Sequence, residues 1–212
     1  MHRHGTAIDR RGFLRQSAAL GLGTLFAPAF TPKAWAATKD RIVIYQGVSL
    51  DSLHPYGYSG GGITGIWRHM MEPLIQMDYD RNEYVGVLAQ SWEFQERKWI
   101  FHLRKGVRFH NGAPFTSKDV AYSINKLQKD KRSLQGAYVQ GVEVDTPDDY
   151  TVVLTTKTPN ALLPTRLETR FILSKEYGDD LDSATAGTGP YKYVSWQRGG
   201  NLVLRRNDDY WG

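Results

Sequence analysis

A few groups of residues have types that could do chemistry. His102 and His110 stand eight apart around Lys105-Gly106. Imidazoles ligate zinc, but this spacing matches no zinc pattern, and nothing nearby supplies the further convergent ligands a site needs. They read as exposed or hydrogen-bonded histidines on strands. Ser49, Ser52 and His54 share one loop, which would suit acyl transfer, yet no Gly-x-Ser-x-Gly elbow surrounds either serine. Gly60-Gly61-Gly62 precedes a helical pattern without the Lys-Ser/Thr ending of a phosphate-binding loop. The 212 residues contain no cysteine, which removes disulfide frameworks, thiolate metal sites and a thiol nucleophile together. Catalysis is therefore unsupported, and the sequence calls for no cofactor and no metal.

The charge tells a second story. The chain has 27 basic against 22 acidic side chains, a net +5, which by itself invites an acidic partner such as nucleic acid. Arg3, Arg10, Arg11, Arg15 and Lys33 against the single acid Asp9 place +4 of this in residues 1–36. The remainder is close to neutral, so a nucleic-acid partner is not expected. Residues 1–36 have the layout of an export signal: a basic start, an apolar stretch over 17–30, and Ala34-Trp35-Ala36 as the small-residue cleavage site. That stretch falls short of the ~20 residues that span a bilayer. Asp9-Arg10-Arg11-Gly12-Phe13-Leu14-Arg15 fits the twin-arginine motif, so the twin-arginine translocase is the expected partner in export.

With 41% apolar residues, the rest of the chain has material for a core. Residues 41–46 read as a strand and 47–62 as a Gly-, Ser- and Pro-rich loop. Ile63, Ile66, Trp67 and Met70 share one helix face, with Pro73 as the stop and 74–77 as a short strand toward a turn at 78–82. Trp92 and Phe94, then Trp99, Phe101 and Leu103, alternate as a half-buried hairpin whose rings are core. Val107 and Phe109 continue the alternation to a turn at Asn111-Gly112. Thr116 with Asp119 is a capping box, opening a helix with Val120, Ile124 and Leu127 as its buried stripe. Strands around 141–144 and 150–155 join through Thr146-Pro147-Asp148-Asp149. The piece around Pro164 is ambiguous. A last hairpin, 191–196 with 201–206, turns at Arg198-Gly199-Gly200. The fold class is α/β in the broad sense, mixed α+β with mostly antiparallel pairing.

Several stretches carry a family resemblance. Leu88-Ala89-Gln90-Ser91-Trp92-Glu93, Trp99 through Gly112, and Pro114-Phe115-Thr116-Ser117-Lys118-Asp119-Val120 resemble the signature region of the family 5 extracellular solute-binding proteins. These are the peptide, nickel and oligopeptide receptors of ABC importers. Glu72-Pro73-Leu74, Gly187-Thr188-Gly189-Pro190-Tyr191 and Arg206-Asn207-Asp208-Asp209-Tyr210-Trp211-Gly212 fit the same family in the same order.

The resemblance implies a periplasmic-binding-protein-like type II receptor that closes on its ligand and hands it to a permease. Its expected location is periplasmic or otherwise extracytoplasmic. Its partners would be a peptide or other small solute and ABC permease subunits. Family members are more than twice this long, so residues 37–212 are expected to form an incomplete first lobe, with about 59–165 as a smaller subdomain and the second lobe absent. The loop after the first strand faces the cleft in that family, which makes Gln46, Ser49, Leu50, Tyr56 and Tyr58 the expected ligand contacts. Trp196 and Arg198 are weaker candidates. The alternatives are a secreted interaction or structural module, or a non-functional truncated fragment of such a receptor.

Overall fold

The period-two stretch that begins at Ala89 folds as a hairpin, β3 (Ala89–Gln95) and β4 (Lys98–Leu103), and seeds the largest sheet. Two more strands join it, β5 (Glu143–Asp148) and β6 (Thr151–Thr155), in the antiparallel order β3-β4-β6-β5. Register puts Trp99 opposite Leu154 and Phe101 opposite Val152, so one face carries four large apolar side chains at 9% exposure or less. Each burial of this size is worth about 1.5–3 kcal/mol. The computed structural model describes residue 43 and residues 53–56, 61–130, 133–177 and 187–212. All but Val43 belong to one compact unit, Tyr45–Gly212. The expected export signal, the strand at 41–46 and most of the loop at 47–62 lie outside the described residues.

Helix α2 (Ser117–Lys129) packs its Val120, Ile124 and Leu127 stripe, each at most 1% exposed, against β5 and β6. The Thr116 cap forms as expected. Asp119 Oδ2 accepts from the Thr116 backbone N–H at 2.9 Å and from the Thr116 hydroxyl at 3.0 Å. The other oxygen of this buried carboxylate accepts from the Lys175 N–H at 3.0 Å, so one side chain both starts a helix and fixes a distant turn.

Helix α1 (Gly61–Trp67) turns Ile63 and Trp67 inward, and Trp67 meets Phe171 edge to face, their ring centroids 6.3 Å apart. It ends well before Pro73. After Trp67 the pairing tightens to three residues back, and the carbonyls of His69 and Met70 accept from Tyr191 N–H and Gly189 N–H, both at 2.9 Å, in a segment more than a hundred residues on. Strands β1 (Ile75–Asp78) and β2 (Glu83–Gly86) form a separate hairpin, as do β7 (Tyr191–Trp196) and β8 (Leu202–Arg206). The stretch around Pro164 is a short helix, α3 (Leu163–Leu167), with Pro in its first turn, where the missing N–H costs nothing.

Two expectations need correction. Pro147 lies inside β5 rather than in the turn, which falls at Asp149–Tyr150; β5 is an outer strand with a register shift between Asp145 and Asp148, and both features tolerate a residue without an N–H. Phe94 is not core: it stacks on Trp99 at 4.7 Å but stays 40% exposed at the turn end of the sheet.

Candidate functional site

The most concentrated polar chemistry among the described residues centres on Glu72, between α1 and β1. Only 5% of its surface is exposed. One carboxylate oxygen accepts from the Tyr210 hydroxyl at 2.7 Å. The other accepts from the Thr188 hydroxyl at 2.7 Å and from the Trp211 indole N–H at 2.8 Å. Burial pushes the Glu72 carboxyl above its ordinary range, while these three donors and the positive field of Arg104 pull the other way. Arg104 sits over the Trp211 ring, 4.9 Å from its centroid, and donates to the Val87 carbonyl. Burial and the Glu72 charge also raise the Tyr210 phenol well above its usual value.

A second clamp holds the same loop. His110 accepts nothing on its ring: its Nε2 lies 2.9 Å from the Gly189 carbonyl, which fixes that nitrogen as the N–H donor. The Nδ1 atom is buried without a partner, and the His110 backbone N–H donates to the Gly187 carbonyl at 2.8 Å. Burial lowers the imidazole pKa, and the charges of Lys192 and Arg205 reinforce that. The close approach needs glycines. A Cβ at Gly189 would lie 2.6 Å from the Met70 carbonyl carbon, and one at Gly187 would collide with the Met70 carbonyl oxygen.

Beside Glu72 opens a pocket of about 280 Å³, lined by Arg68, Met71, Glu72, Gln76, Val87, Pro190, Tyr210 and Trp211 among others. The Arg68 guanidinium is held by the Gln76 side chain at 3.4 Å and the Glu168 carbonyl at 3.3 Å. Charge, amide and aromatic surface together suit a small polar group.

Of the ligand contacts expected from sequence, Gln46, Ser49, Leu50 and Tyr58 lie outside the described residues. Tyr56 is among the described residues. It is 1% exposed, and its hydroxyl donates to the Phe171 carbonyl at 2.7 Å, so it anchors its loop to the core, where burial raises its phenol pKa. Trp196 is half-buried in β7, and Arg198 in the following turn lies over its ring at 5.9 Å. The convergence of Glu72 with Thr188, Tyr210 and Trp211 was not expected. Each belongs to a quoted motif piece, but partners 116 to 139 residues apart leave no local pattern.

Comparison with known proteins gives this geometry a context. Residues 83–212, more than half of the chain, match the family described as bacterial extracellular solute-binding proteins, family 5 Middle. The dipeptide-binding protein of Escherichia coli K12 is 28% identical over 94% of this chain and 43% of its own length. The periplasmic oligopeptide-binding protein OppA of the same organism is 26% identical, over 97% of this chain and 44% of its own. The solved structure of the ABC transporter-associated periplasmic binding protein DppA from Helicobacter pylori, in complex with the peptide STSA, superposes with a TM-score of 0.67 at 27% identity. That match covers 78% of this chain and 39% of the other. The chain thus spans less than half the length of these relatives.

Proposed function

Because the chain belongs to the family 5 bacterial extracellular solute-binding proteins, we propose that it captures peptides or related small solutes outside the cytoplasmic membrane and delivers them to the permease of an ABC importer. The family match over residues 83–212 carries this reading. The dipeptide- and oligopeptide-binding relatives support peptides as the solute class. Export would follow the twin-arginine route from residues 1–36, and 37–212 would supply the first lobe, with about 59–165 as its subdomain. The sheets β1–β2 and β7–β8 have outer edges that pair with no further strand among the described residues. Strand edges are what an extended peptide pairs with, while pockets take its side chains; at the start of β7 the Tyr191 N–H is already taken by the His69 carbonyl.

The test is a melting experiment on the purified protein with and without a mixture of di- to pentapeptides. A ligand present at 100 times its Kd adds about 2.7 kcal/mol of stability, which shows as a rise of several degrees. Nickel and haem serve as parallel probes. A melting point that none of the three moves refutes the solute-binding reading.

A further inference from the structure

We infer that the pocket beside Glu72 is a binding site for a small carboxylic acid, a single carboxylate joined to a compact apolar group, with Arg68 as the cation that receives it. The assignment goes beyond peptide capture and does not depend on it.

Arg68 forms part of the wall of this pocket of about 280 Å³, and so does Gln76, whose side-chain oxygen the Arg68 Nη1 meets. The guanidinium therefore borders an open cavity. Its two hydrogen bonds are long, 3.4 Å to Gln76 Oε1 and 3.3 Å to the Glu168 carbonyl, and both acceptors are neutral. An arginine matched to an acid bonds at about 2.7–2.9 Å, so neither acceptor meets the charge well. The Nε atom makes no hydrogen bond and is not buried, which leaves it open to an incoming acceptor. No ion pair among the described residues includes Arg68. A half-buried guanidinium with neutral partners and an open donor suits a carboxylate, which takes two parallel N–H bonds at once.

The rest of the lining decides what the carboxylate is attached to. Met71, Pro73, Val87 and Pro190 are apolar, and Trp211 adds an aromatic ring. The volume lies at the lower limit of ligand pockets, roughly 300 Å³, which holds a group the size of one amino acid rather than a long chain. Glu72, the one acid in the lining, already accepts from Tyr210, Thr188 and Trp211, and burial favours its neutral form. It therefore offers little to a cationic ligand and opposes an anion only weakly. A dianion such as phosphate would need a second cation in the pocket. Arg104 does not supply it, because it lies over the Trp211 ring, bonds to the Val87 carbonyl and is not part of the lining.

Titration of the purified protein with N-acetyl-leucine, its amide and inorganic phosphate tests the site. Calorimetry gives the affinities, and the NMR signal of the Trp211 indole N–H, assigned by its absence in Trp211→Phe, gives the place. The acid should bind with a Kd on the order of 1 mM, as suits about a dozen non-hydrogen atoms, and should move the Trp211 signal. The amide has the same shape without the charge and should bind roughly tenfold more weakly, a step within reach of a hydrogen bond to a charged group. Arg68→Gln should bring acid and amide within twofold, and Arg68→Lys, which keeps the charge without the paired N–H bonds, should fall between. Equal binding of acid and amide by the wild-type protein, which needs no variant, overturns the proposal. So does acid binding that leaves the Trp211 signal unmoved, or no saturation by the acid at about 10 mM, ten times the expected Kd. Phosphate binding more tightly than the acid overturns the ligand class, and a tenfold preference retained in a folded Arg68→Gln protein overturns the role of Arg68. None of the three probes is a peptide, so each of these failures leaves peptide capture to its own test.

Discussion

Replacing Glu72 tests how the 187–189 and 207–211 segments are held. In Glu72→Ala, three donors lose their acceptor. The Thr188 hydroxyl is fully buried, and leaving it unmatched costs about 1–3 kcal/mol. Tyr210 and Trp211 are partly exposed, so water recovers some of their loss, leaving about 0.5–1.5 kcal/mol each. The expected destabilisation is about 2–6 kcal/mol, a large share of the 5–15 kcal/mol typical of a domain. Glu72→Gln differs in kind. Its amide oxygen can still accept from Thr188 and Trp211, and its NH₂ can donate to the Tyr210 oxygen, because a hydroxyl serves in either role. Only the charge assistance of the bonds is lost, about 1–2 kcal/mol. Urea denaturation of the three proteins at pH 7, followed by circular dichroism, measures both numbers. Equal stability of the Ala and Gln variants, or a neutral effect of Glu72→Ala, would show that the donors do not depend on this carboxylate.

Three further predictions concern the same region and the export signal. His110 has a depressed pKa, so its contribution to stability is present above the ordinary value of 6.5 and is lost as pH falls through the folded value. Glu72, raised above 4.5, runs the opposite way: its contribution is full below that value and declines as pH climbs through the raised one. Urea midpoints between pH 4 and 8 should lose the acid limb in His110→Gln and the opposing slope in Glu72→Gln; unchanged profiles would contradict both. Gly189→Ala should cost about 1–3 kcal/mol by overpacking, since its methyl meets the Met70 carbonyl carbon at 2.6 Å, and a melting point equal to wild type would contradict the close approach. Changing Arg10 and Arg11 together to Lys should leave unprocessed protein in the cytoplasm on fractionation, and normal export would reject the twin-arginine route.

What was legible in the sequence was whatever local pattern decides. The Trp92–Leu103 hairpin and the helix with Val120, Ile124 and Leu127 follow from period and capping, and the final hairpin from its Arg198-Gly199-Gly200 turn, where Gly199 takes a φ of 72°. Errors arose where a partner far along the chain decides. Pro73 looked like the stop of α1, but the chain leaves helical pairing earlier, His69 N–H and Met70 N–H donating three residues back to the Ile66 and Trp67 carbonyls while the next carbonyls bind Tyr191 and Gly189. Pro147 signalled a turn because nothing local tells an outer strand from a central one. Nothing around Gly187 and Gly189 in the sequence announces their constraint, the Met70 backbone pressed against them. The bond from the Tyr56 hydroxyl to the Phe171 carbonyl likewise has no local sign in the sequence.

The bond from Trp211 to Glu72 spans 139 positions, and this sets the order of events at synthesis. The sheet from Ala89 to Thr155 and its helix contain their own partners and can form while the chain is still growing. The α1–β1 junction cannot close until Tyr210 and Trp211 have been made, and contacts of such long range form late. Until then Glu72 and the apolar side chains beneath it remain in water. A defect at Trp211 would therefore leave the α1–β1 junction open however completely the sheet and its helix had already formed.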